Sequence, residues 1–248
     1  MERIEFKNKK EQNIIGILHE PNNNKEEITI IIHGFGSTKN TASKEISELL
    51  EKENINSFRI DLDNRGESEP DFNKEASINN YSETVKSAIK LMKEKGYAKY
   101  NLIGTSFGGI VCMNVAANNK EINKLCLRAS VGNYWELWQT RASQEQITKW
   151  KEEGSYTFKL REGETKINFN CLEEAKDKNF FEQSENISCQ TLILHGTGDK
   201  QVPHSHGIKL VEKIPNSKLI LIHGANHGLA VEKNKSESMH YILDFLQK

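Results

Sequence analysis

The chain has 248 residues, 36% of them hydrophobic and 28% charged, with a formal net charge of −1. That length can bury a sizeable core in one large domain or two small ones, while the near-zero charge excludes the basic field by which a protein gathers nucleic acid or anionic lipid. The opening MERIEFKNKKEQN lacks a secretory apolar run, no stretch approaches the ~18 apolar residues of a membrane span, and Cys112, Cys126, Cys171 and Cys189 show no CxxC or metal-type spacing, so a reduced, cytoplasmic protein is expected.

In chain order, two short apolar runs at 4–7 and 14–19 suit an antiparallel hairpin, and ITIIIH at 28–33 reads as a strand covered on both faces. A helix is expected at 42–53, a strand at 57–62, a helix at 79–95, a strand at 100–104, a helix at 107–118 and a strand at 124–128. Residues 132–187 break the alternation: they contain no convincing buried strand, yet hold Trp135, Trp138 and Trp150. This segment is expected to lie over the sheet as an insertion, its tryptophans either gluing it down or lining a pocket. A strand at 191–195, a helix at 205–213, a strand at 219–223 and a helix at 235–247 complete the chain. Strands alternating with helices predict an α/β fold with a mostly parallel eight-stranded sheet and helices on both faces.

One strand runs directly into GTSFGG (104–109), where a serine sits between glycines at a strand-to-helix turn. Gly104-Thr105-Ser106-Phe107-Gly108 fits G-x-S-x-G, the sharp turn that lifts a serine above a sheet, and its glycines avoid collisions in so tight a bend. A serine hydroxyl is a poor nucleophile without a base in reach. Asp199, in TGDKQVP, and His227, in GANHG, each lie just past a later strand. Parallel strands bring their C-terminal ends to one rim, so Ser106, Asp199 and His227 are expected to meet there in the order Ser, Asp, His. His223, His33 and His195 end strands, where packing is the expected role. His204 and His206 lack an acidic or cysteine partner at ligand spacing, and His19 and His240 stand alone. Asp61 and Asp63 are the rival carboxylates.

HGFGS (33–37), DLDNRGES (61–68), GTSFGG, HGTGDKQVP (195–203) and GANHG (224–228) follow one another as in the α/β-hydrolase family, which the chain resembles over nearly all of its length outside the insertion. Within that family it is most similar to small bacterial carboxylesterases with a short inserted cap, of the cinnamoyl and feruloyl esterase type, although Thr105 stands where many of these have His. The resemblance implies one α/β-hydrolase domain over 1–248, with a cap at about 132–187. It also implies a serine hydrolase of carboxylesterase type that cleaves esters through an acyl-enzyme, with Ser106 as nucleophile, His227 as base and Asp199 orienting it. The backbone amides of Phe35 and Phe107 would form the oxyanion hole, and Asp61 and Arg65 would fix loops beneath the rim. No cofactor or metal is called for. Trp135 and Trp138 are candidate substrate contacts, hinting at an aromatic or apolar acyl ester as the small-molecule partner; homodimer formation is left open. The alternatives carried forward are an acyl thioesterase or small-peptide hydrolase using the same triad, and a non-catalytic ligand receptor on the same fold.

Overall fold

A computed structural model describes residues 1–63, 65–68, 77–160, 163–231 and 236–248. Asn64, in the third position after Asp61, and Lys235, the expected start of the last helix, lie outside the described residues.

Among those described, eight strands form one sheet: β1 (Glu2–Lys7), β2 (Asn13–His19), β3 (Glu27–Ile32), β4 (Ser57–Ile60), β5 (Lys99–Thr105), β6 (Ile122–Arg128), β9 (Gln190–Gly196) and β10 (Ser217–Ile222). Their order across the sheet is β1-β2-β4-β3-β5-β6-β9-β10. β1 and β2 form the expected antiparallel hairpin, β2 joins β4 antiparallel, and every later pairing is parallel. The helices are α1 (Ala42–Lys52), α2 (Ile78–Glu94), α3 (Phe107–Asn118), α4 (Tyr134–Arg141), α5 (Gln144–Glu153), α6 (Asn170–Asp177), α7 (Phe180–Gln183), α8 (Ser205–Lys213) and α9 (Ser236–Gln247).

The central strands are apolar throughout because both faces are covered. Successive side chains point to opposite faces: Ile30 and Ile32 of β3, with Leu125 and Leu127 of β6, enter the core beneath α2 and α3. Ile31, Ile103 and Cys126 enter a second core with Ile46 and Leu50 of α1 and Ile242 and Leu246 of α9. α3 is buried on every side from Phe107 to Ala117, which accounts for its apolar sequence.

The segment between β6 and β9 corrects one expectation. It contains a two-stranded hairpin, β7 (Ser155–Leu160) with β8 (Gly163–Asn168), where no convincing buried strand was expected. These strands pair with each other and stay out of the main sheet, so they carry no continuous apolar run of the doubly covered kind. α5 before them starts at a capping box, Ser143 with Gln146, and ends at Gly154 in the left-handed conformation at φ 70°.

Candidate active site

The nucleophile candidate is held by the strand-to-helix turn between β5 and α3. Ser106 adopts φ 54° and ψ −116°, a conformation that costs a non-glycine residue on the order of 1–3 kcal/mol. Three backbone hydrogen bonds hold it there: Ser106 N donates to Arg128 O at 2.9 Å, and Ser106 O accepts from Gly109 N at 3.0 Å and Val131 N at 3.2 Å. Two glycines are sterically required. A Cβ on Gly104 would lie 2.5 Å from Gly108 O, and one on Gly108 would lie 2.4 Å from His33 O.

The Asp199 and His227 loops are pressed together by the parallel pairing of β9 with β10. Gly198 N donates to Ala225 O at 3.0 Å and Thr197 N to Ile222 O at 3.0 Å. Asp199 Oδ1 accepts from the amides of Gln201 (2.8 Å) and Val202 (2.9 Å), while Oδ2 accepts from His227 Nδ1 at 2.7 Å. Burial opposes the charge on Asp199, but the His195 ring, its Nε2 3.5 Å from Oδ2, and hydrogen bonds from His227 and the Val202 amide outweigh it, holding the carboxyl well below its usual range. With its proton on Nδ1, His227 keeps Nε2 as the nitrogen able to accept another. The turn carrying it is closed by Asn226, whose Oδ1 accepts from Gly228 N at 2.9 Å, and by Leu229 at φ 55°.

Ser106 and His227 line one cavity of about 680 Å³ together with Phe35, Phe107, Tyr134 and Trp138. Among the described residues no hydrogen bond joins Ser106 Oγ to His227; such bonds are often long in the absence of substrate and tighten when it binds. Phe107 is the first residue of α3, where an amide has no partner further back in the helix. The Gly34–Phe35 loop passes beside the hydroxyl, since a Cβ on Gly34 would lie 3.8 Å from Ser106 Oγ. His33 shapes that loop: Nδ1 donates to Gly34 O at 2.8 Å and Nε2 accepts from Leu62 N at 3.0 Å. Burial pushes its pKa down to about 4, so the ring is neutral with a fixed tautomer.

Asp61 is fully buried and accepts from Lys39 N at 2.7 Å, Lys39 Nζ at 2.6 Å and Glu67 N at 3.0 Å, and the Arg65 guanidinium lies 5.3 Å from the Phe35 ring centre. Asp63 bonds Thr84 and Asn8 away from the cavity. His195 donates from Nε2 to Val202 O at 3.0 Å, and His206 Nδ1 accepts from Gly132 N at 3.1 Å. Trp138 faces the cavity, as does the stripe Tyr134, Leu137 and Arg141 on the same side of α4. Trp135 does not; its ring sits 5.3 Å from Lys176 Nζ of α6. Trp150 is packing: buried, with Nε1 donating to Ile167 O at 3.0 Å. Sequence reasoning missed Arg128, a lining residue at the end of β6 whose Nη2 donates to Gly228 O at 2.7 Å. The signal available was a charged residue closing an otherwise apolar strand, KLCLR.

Known proteins agree with this architecture. Est1E from Butyrivibrio proteoclasticus, in a structure with ferulic acid bound, superposes with TM-score 0.84 at 19% identity over 98% of each chain. A putative hydrolase from Agrobacterium vitis S4 does so with TM-score 0.82 at 17% identity, over 99% of this chain and 97% of that one. By sequence, the serine hydrolase BPHL of Mus musculus is 25% identical over 179 residues, 67% of this chain; the chain spans only 61% of that relative's length. The model of the prolyl oligopeptidase family matches residues 62–248, from just past β4 to the C-terminal residue. The chain is therefore a member of the prolyl oligopeptidase family, with the α/β-hydrolase fold of the serine hydrolases.

Proposed function

We propose that this hydrolase cleaves carboxylic esters through an acyl-enzyme formed on Ser106. The observation that carries the reading is the strained φ 54° of Ser106 at the mouth of a cavity that it shares with His227, itself bonded to Asp199. In the proposed step His227 Nε2 takes the proton from Ser106 Oγ as the oxygen attacks the acyl carbon. The same proton then passes to the departing alcohol, and water repeats the sequence to release the acid. Asp199 keeps the ring in the Nδ1–H tautomer and stabilises its cationic form. The amides of Phe35 and Phe107 receive the developing oxyanion; such a donor is typically worth about 3–4 kcal/mol in the transition state.

Support for an ester over an amide comes from the apolar part of the cavity wall, where Phe35, Phe107, Val131, Tyr134, Leu137 and Trp138 lie, and from the fold neighbour bound to ferulic acid. The family name points the other way, towards peptides, so peptide hydrolysis is the second reading. Rates on matched p-nitrophenyl esters, acyl thioesters and aminoacyl p-nitroanilides separate the two. The ester reading predicts the highest kcat/KM on the esters, and anilides turned over faster than esters of the same acyl group would replace it with the peptidase reading.

A further inference from the structure

We infer that the cavity over Ser106 takes an ester that also carries a carboxylate, with Arg128 as the group that recognises it; this rests on the ester-hydrolase reading above. β6 is covered on both faces, and its terminal Arg128 is only 2% exposed. A guanidinium withdrawn from water needs an anion or a full set of acceptors in return. Arg128 has neither: Nη2 donates to Gly228 O, Nε has no partner, and among the described residues no carboxylate forms an ion pair with it. Glu45, on the first turn of α1, acts on it only as a neighbouring charge.

The position of this charge makes it a recognition element. Arg128 forms part of the wall of the cavity that contains Ser106 and His227. At another part of that wall Arg141, exposed on the last turn of α4, lies 5.7 Å from the Trp138 ring centre. Among the described residues the lining thus offers two arginines against one carboxylate, Glu45, while His33 is neutral. Much of the rest is apolar, including Phe107, Val131 and Leu137. A ligand with an apolar body and an anionic end matches these surfaces, and a guanidinium fork suits a carboxylate better than any neutral acceptor. A wholly neutral ester would leave Arg128 without a hydrogen-bonded anion in the occupied cavity.

Matched ester pairs that differ only in charge test this. Monomethyl glutarate against its carboxamide places the group on the acyl side, and 4-acetoxybenzoate against 4-acetoxybenzamide places it on the alcohol side. The wild-type protein is expected to favour the anionic member of at least one pair by ten-fold or more in kcat/KM. That ratio should fall at least ten-fold in Arg128→Met, and at least several-fold in Arg128→Lys, the variant to use if the first does not fold. A wild-type ratio near or below one in both pairs overturns the inference whatever the variants do. A ratio that survives substitution, including an equal loss on both members through a loosened Gly228 turn, overturns the role of Arg128. Fluorophosphonate labelling of Ser106 with turnover of the neutral esters, but no anionic preference, removes this inference alone. Absence of both labelling and turnover removes the hydrolase reading with it.

Discussion

His227 can serve as a base only if its proton sits on the nitrogen away from the serine, and the 2.7 Å bond from Nδ1 to Asp199 Oδ2 enforces that tautomer. Asp199 is in turn fixed through Oδ1 by two backbone amides, so its orientation does not depend on the imidazole. Asp199→Asn keeps the shape but removes the charge that selects the tautomer; kcat should fall roughly 10³–10⁴-fold in protein that still folds. A loss below ten-fold in steady-state assays would put the orienting group elsewhere. Ser106, Asp199 and His227 were visible in the sequence because each stands beside glycines just past an apolar strand, a local pattern. Arg128 was not, because its importance depends on which way a strand-end side chain turns and on the Gly228 loop that folds over it from 100 positions away.

α4 connects the insertion to the chemistry. Its residues Tyr134, Leu137, Trp138 and Arg141 recur at helical spacing and face the cavity. An aromatic series runs from Phe107 through Tyr134 (5.1 Å between ring centres) and Trp138 (6.0 Å) to Trp150 (5.3 Å), tying the nucleophile turn to the hairpin side of the insertion. Trp138→Ala should therefore change the relative kcat/KM across acyl-chain lengths and ring sizes by about ten-fold, whereas Trp135→Ala should leave the ranking of a p-nitrophenyl ester panel intact. Parallel losses on every ester in Trp138→Ala would make its role packing alone. The tryptophans marked the segment between β6 and β9 as a break in the alternation, but their division of labour depends on helix phase and on the partners supplied by α6 and β8, which composition does not carry. The β7–β8 hairpin escaped for a related reason: its strands answer to each other and not to a doubly covered core.

Across the whole molecule, the parallel sheet is what lets residues 106, 199 and 227 share one rim, and the alternation of strands and helices made that sheet readable in advance. Burial also stores a pH dependence in it. His33 and His206 are both pushed from 6.5 down to about 4, chiefly by burial. In the unfolded chain both titrate normally, so the unfolded state takes up protons first, and the stability these rings confer is whole above about pH 6.5 and lost as pH falls towards 4. Each should cost ~2–3 kcal/mol by pH 4.5. Asp63, raised by burial, works in the opposite sense on acidification, and the loss tied to Asp199 sets in as pH falls through its ordinary value of 3.8, below the interval tested. Urea unfolding at pH 7.5 and 4.5 should show the drop, and a free energy independent of pH across that interval would mean that the two rings titrate in the fold as they do in the unfolded chain. The central claim is the convergence of three distant segments on one nucleophile. Its most direct measurement is reaction with a fluorophosphonate followed by peptide mass spectrometry: the account predicts one adduct, on Ser106, and no ester turnover in Ser106→Ala, whereas an adduct on another serine, or turnover that persists in that variant, would contradict it.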